Sequence, residues 1–72
     1  MKWTHKVVYK GTGQWWMAAL RDGIFYHNGL HEDGEKSKGR LESFKLEEPS
    51  IEAFYNRPGY KVIKLKAFKG NL

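Results

Sequence analysis

The chain has 72 residues and a mass of 8.4 kDa, room for one small β- or α-type domain that buries only about 60% of its unfolded surface. It has no cysteine, which excludes disulfide staples and thiolate-held zinc and fits a reducing, cytoplasmic setting. Hydrophobic residues at 40% and charged residues at 29% exclude a disordered chain, while 15% aromatics and a net charge of +5 favour acidic partners.

The charge is arranged in blocks. Lys2, Lys6, Lys10 and Arg21 stand alone in residues 1–21, and all eight acids fall in residues 22–52, which net −4. Arg57, Lys61, Lys64, Lys66 and Lys69 again stand without an acid in residues 53–72. The excess positive charge therefore belongs to the two terminal segments, which form one basic surface if they are neighbours. The longest apolar run, Trp15 to Leu20, is too short for a bilayer span, and Met1-Lys2 leads into no signal-peptide core, so no membrane partner is expected.

In chain order, residues 2–10 alternate as a strand, with Trp3, His5, Val7 and Tyr9 against Lys2, Thr4, Lys6 and Lys10. Gly11-Thr12-Gly13 supplies a turn. Residues 14–20 admit either a helix, from the propensity of Met17 to Arg21, or a strand. A three-residue loop at Arg21-Asp22-Gly23 before the strand-forming Ile24-Phe25-Tyr26 favours the hairpin. Adjacent Trp15 and Trp16 then point to opposite faces, one into the core and the other under a loop, at an interface or exposed. Asn28-Gly29 is another turn signal, and residues 31–39 read as a polar loop.

Residues 40–46 alternate again, with Glu42, Phe44 and Leu46 on one side. A short helix follows, with Pro49 in its first turn, Glu48 and Glu52 near its positive end, and Ile51, Phe54 and Tyr55 on one face. Arg57-Pro58-Gly59 ends it. Residues 60–68 form the last strand, with Ile63, Leu65 and Ala67 on one side and Tyr60, Val62, Lys64, Lys66 and Phe68 on the other. This order of elements resembles that of SH3-like barrels, in which a helical turn precedes the last strand and the terminal strands lie close together. The expected fold is a mostly β, five-stranded SH3-like barrel over residues 1–72. An OB-like barrel is the alternative, although its helix usually sits between the third and fourth strands.

Little in the chain suggests catalysis. Ser37, Ser43 and Ser50 lack a nucleophile-elbow pattern, and Gly11-Thr12-Gly13 lacks the lysine of a phosphate loop. His27, His31, Glu32 and Asp33 carry zinc-type donors, but a polar hairpin with surface histidines accounts for them. The Asp33-Gly34-Glu35 stretch is too poor in regularly spaced oxygens for calcium. No cofactor or metal is expected.

The terminal strands carry the strongest signal. Lys2, Lys6 and Lys10 with Lys64 and Lys66 would cover one outward sheet face, flanked by Tyr60 and Phe68, if the two strands pair. Ammonium groups meet phosphates and exposed rings stack on bases, so a non-enzymatic nucleic-acid-binding domain, DNA or RNA, is expected. Scarce arginine predicts weak sequence preference. The alternative is a small protein-binding inhibitor or adaptor that docks on an acidic protein, with Trp15 or Trp16 as a contact. Solubilising lysines on a strand are the plainest explanation of the same pattern. A homodimer that buries an open strand edge is compatible with so small a core.

Overall fold

The computed structural model describes residues 2–66. Five antiparallel strands, β1 (His5–Tyr9), β2 (Trp15–Arg21), β3 (Ile24–His27), β4 (Glu42–Lys45) and β5 (Tyr60–Lys64), form one sheet in the order β4-β3-β2-β1-β5. A single short helix, α1 (Ile51–Phe54), precedes the last strand. The hairpin expected over residues 14–26 is present, and the first and last strands are neighbours.

The sheet is open. β4 and β5 are its two edges, and no pairing among the described residues joins them into a barrel. Leu46 and Ile51, from the β4–α1 connection and the helix, instead complete the core on one face with Val7, Ala18 and Phe25. This helix-covered side is the concave face. The helix thus fills the space that further curling of the strands would otherwise close. Its start follows from Ser50, an N-cap whose hydroxyl accepts from Ala53 N–H at 3.0 Å. Pro49 therefore lies just before the cap rather than inside the first turn.

The β2–β3 loop is one residue shorter than expected. Arg21 pairs with Ile24, so only Asp22 and Gly23 turn the chain, with φ of 51° and 75°. Positive φ at both central residues is the type I′ geometry that matches strand twist.

The register decides which side chains share a face. Val7 lies between Trp16 and Val62, and His5 lies between Ala18 and Lys64. Lys6 lies between Met17 and Ile63, on the opposite, outer face. The expected face of five lysines does not form. Tyr60 and Val62 pack against the core and carry Lys64 with them, while Lys6 points away. Ile63, read as inward from the sequence, is 36% exposed on the outer face.

A one-residue surplus interrupts the β2–β3 ladder. Ala18 pairs with His27 and Trp15 bridges to His31, so four steps of one chain are matched to three of the other. Such a bulge reverses the alternation. His27 consequently lies on the concave side and His31 on the outer side. Asn28 bridges the gap: its Oδ1 accepts from Met17 N–H at 2.8 Å, and its Nδ2 donates to Ser37 Oγ and Lys38 O.

Candidate functional site

The outer face is anchored on Trp15, which also borders a shallow groove with Lys6, Val8 and Asp33. The Trp15 ring stacks on His31 at 4.3 Å with 18° between planes, and its indole N–H donates to Glu32 O at 3.2 Å. His31 is fully buried, not a surface histidine. Lys38 N–H donates to its Nε2 at 2.8 Å, so the ring proton sits on Nδ1 and donates to Trp15 O at 3.1 Å. Lys6 Nζ lies 4.6 Å over the Trp15 ring. Both nitrogens of His31 are occupied and His27 lies on the other face, so the two histidines do not face a common point. Among the described residues, no group of three or more His, Asp or Glu could hold a metal.

The concave face is buried at its centre, where α1 and Leu46 cover Val7, Ala18 and Phe25, and is accessible at its margins. A row of rings crosses it from the β1–β5 side to β4. Tyr9 lies 5.3 Å from Tyr60, Tyr60 lies 5.1 Å from Tyr55, Tyr55 lies 6.1 Å from Phe25, and Phe25 lies 4.9 Å from Phe44. Trp16 flanks the row, 6.0 Å from Tyr55 and 6.3 Å from Tyr60. The two ends, Tyr9 and Phe44, are 39% and 43% exposed, so a ligand can reach the row from either side. Tyr55, Tyr60 and Trp16 are half-buried between them, and Phe25 is fully buried.

Cations stand at both ends of β5. Arg57 places its guanidinium 5.4 Å over Phe54 and 5.9 Å over Tyr60, and donates to Phe54 O at 3.1 Å. Lys64 sits on the same face, opposite His5. Beside it, the His5 ring meets Glu52 Oε2 at 2.7 Å and ties α1 to the terminal strands. That hydrogen bond, with Glu52's own backbone N–H, holds the Glu52 carboxyl below its usual value.

At the Phe44 end the row opens into a cleft of about 210 Å³ lined by Trp16, Phe25, His27, Leu30, Phe44 and Tyr55, with Gly29 at its floor. Trp16 indole N–H donates to Tyr55 Oη at 3.0 Å. Burial pushes the Tyr55 phenol above its ordinary value, against the pull of that N–H, so its proton stays in place. Gly29 N–H donates to His27 Nδ1 at 3.1 Å, which leaves the ring proton on Nε2. The cleft therefore carries two hydrogen-bond donors with no acceptor among the described residues.

Of the residues selected from the sequence, Tyr60 and Lys64 share this face. Lys66 follows β5 by two residues and is exposed. Lys2 and Lys10 lie beyond the two ends of β1, with Lys10 N–H donating to Gly59 O at 2.7 Å. Lys6 and Trp15 are on the outer face, Trp16 lines the cleft, and Phe68 lies outside the described residues. Arg57, Tyr55, Phe44 and His27 escaped selection. Arg57 reads in sequence only as a helix terminator, whereas the spacing of Ile51, Phe54 and Tyr55 already places Tyr55 on the core-facing side of α1. Comparison of the chain with protein-family models, curated proteins and solved structures finds no significant match.

Proposed function

We propose that the chain is a non-enzymatic binding domain for single-stranded nucleic acid, with the concave face as its platform and little sequence preference overall. The observation that carries this is the row of rings from Tyr9 to Phe44, with Arg57 over Tyr60 and Lys64 on the same face at the other end of β5. Stacking surfaces alongside a cationic track are what a strand with exposed bases requires. The pairing of β1 with β5 supports it by gathering the two basic blocks, while the acids stay in the β2–β3 turn, the loop after β3, β4, the β4–α1 connection and α1. The SH3-like layout belongs to the same proposal, as an open relative of that barrel in which the concave side stays accessible at its margins.

Arg57, Lys64 and Lys66 are the cations placed to meet phosphates. Three such contacts predict that log K against log salt for a single strand falls with a slope of about −2. Titration of a fluorescent single-stranded oligonucleotide across salt tests this. Absence of binding at about 50 mM salt, or an affinity indifferent to salt, overturns the proposal.

A protein-binding adaptor is the second reading, and the free edge of β4 favours it. Leu46 N–H points to β3, donating to Gly23 O, so by alternation the backbone groups of Ser43 and Lys45 face outward. Leu41 and Phe44 are exposed beside them. Such an edge accepts an added strand. Retention of one protein partner after nuclease treatment, with no oligonucleotide affinity, would replace the first reading by this one.

A further inference from the structure

We propose that the free edge of β4 pairs with the β4 edge of a second copy of this chain, antiparallel about a two-fold axis at Phe44, so that the two sheets join into one. The proposal is independent of the single-strand reading.

The two open edges of the sheet differ in charge. β5 carries Lys61 and Lys64, with Arg57 before it, Lys66 after it and no acid from residue 53 to residue 66. Two such edges repel, and lysines along an edge protect it from added strands. β4 lacks that protection. Its Glu42 and Lys45 cancel, and the large apolar side chains of Leu41 and Phe44 beside them are 57% and 43% exposed. The backbone groups of Ser43 and Lys45 face away from β3 and have no partner among the described residues.

The register follows from the same strand. Outward-facing residues must meet outward-facing residues, so the axis passes through a residue of β4 and not between two. An axis at Glu42 or Lys45 opposes like charges. An axis at Ser43 sets the Glu42 carboxylate against the Phe44 ring. An axis at Phe44 avoids both. Ser43 then faces Lys45 of the second copy and exchanges both backbone bonds with it, and the two Phe44 rings meet at a non-hydrogen-bonded position, where facing side chains lie closest. Each Phe44 ring already leans on the buried Phe25 ring at 4.9 Å, which lowers the cost of ordering it on association.

The assembly closes at two. Both β4 edges are covered, and the lysine-bearing β5 strands become the outer edges, so no further copy is recruited. The Phe44 ends of the two ring rows meet at the axis, and Tyr9 remains the open end of each.

Sedimentation of the wild-type chain from about 10 µM to about 1 mM tests the dimer. An edge of 4 residues makes a small interface, so the mass should rise from 8.4 kDa to twice that value with a midpoint on the order of 100 µM. Ser43→Pro removes an outward N–H that β3 does not use, and should keep the chain monomeric with its melting temperature little changed. Single-cysteine variants read the register, because the chain has no cysteine of its own. Phe44→Cys should form a covalent dimer under mild oxidation, since the facing Cα atoms would lie about 4.5 Å apart. Ser43→Cys should link about tenfold more slowly or not at all, since its Cα atoms would lie beyond the roughly 7 Å that a disulfide bridges.

A wild-type chain that stays monomeric at about 1 mM overturns the dimer and leaves the β4 edge to the adaptor reading. A continuing series of larger species overturns the closed pair, since it signals β4 meeting β5 head to tail. Faster linking of Ser43→Cys than of Phe44→Cys overturns the axis at Phe44. Oligonucleotide affinity at low protein concentration is a separate readout, so the dimer and the single-strand reading fail independently.

Discussion

Trp15 and Trp16 are adjacent in β2, and the strand sends them into opposite environments. On the outer face, Trp15, His31 and Asn28 form a closed set in which each ring nitrogen and amide has a partner. On the concave face, Trp16, Tyr55 and His27 are equally ordered, yet two donors are left over and the rings border open space. Satisfied polar groups mark a region that holds the chain together, and unsatisfied ones beside solvent mark a region that can hold something else. Residue type does not separate the two sides; the account of hydrogen bonds does.

Substitutions can break this contrast. Trp15→Ala should cost about 3–5 kcal/mol, close to the whole stability of so small a domain, and leave little folded protein in a urea titration at 25 °C. Asn28→Ala should follow at about 2–3 kcal/mol, because Met17 N–H loses its acceptor inside the sheet while the 37–38 segment loses its anchor. A variant that melts like the wild type would show that the bulge does not depend on that side chain.

Trp16→Phe should give the reverse pattern. It removes the hydrogen bond to Tyr55, costs about 1 kcal/mol of stability, and weakens single-strand binding about tenfold. If Trp15→Phe weakened binding as much as Trp16→Phe, the division of roles between the faces would fail.

The smallest effect concerns the tie between α1 and the terminal strands. Glu52, its carboxyl held low chiefly by His5, contributes stability that is complete above the ordinary carboxyl value of 4.5 and lost as pH falls through the lower folded value. The Glu52 side chain is 54% exposed, so Glu52→Gln should cost only on the order of 0.5 kcal/mol at neutral pH. The gap between variant and wild-type urea midpoints should narrow and close as pH falls below the ordinary carboxyl value. A gap unchanged by acid would assign the His5–Glu52 contact no role in the pH response.

Much of the skeleton is legible in the sequence. Arg21-Asp22-Gly23 marks the hairpin, Pro49 with Glu48 and Glu52 marks the short helix to within a residue, and the polar–apolar alternation of β1 correctly places His5 and Val7 inward. The last strand misleads because both of its faces carry lysine and apolar residues. Tyr60, Val62 and Lys64 oppose Lys61 and Ile63, so only pairing with Val7 shows which set faces the core. The bulge was also out of reach. Asn28-Gly29 signals a turn, but nothing local says that β2 will resume pairing at His31 with its alternation reversed. That single extra residue separates the two histidines and creates both the Trp15–His31 stack and the cleft. Arg57 was hidden for another reason: its place over Tyr60 depends on the tight turn at residues 57–59 that follows the helix.

The adjacency of β1 and β5 also governs how the molecule responds to pulling. His5 sits opposite Lys64 and Tyr9 opposite Tyr60, so the chain enters one strand and leaves the other at the same end of the pair. A load applied between residues 2 and 66 therefore falls on one rung at a time, beginning at the Leu65 N–H to Thr4 O bond beside His5 and Lys64. The strands peel apart in sequence instead of resisting together in shear. With β5 at the edge, and the His5–Glu52 contact next to the first rung, the domain is mechanically soft along its own termini.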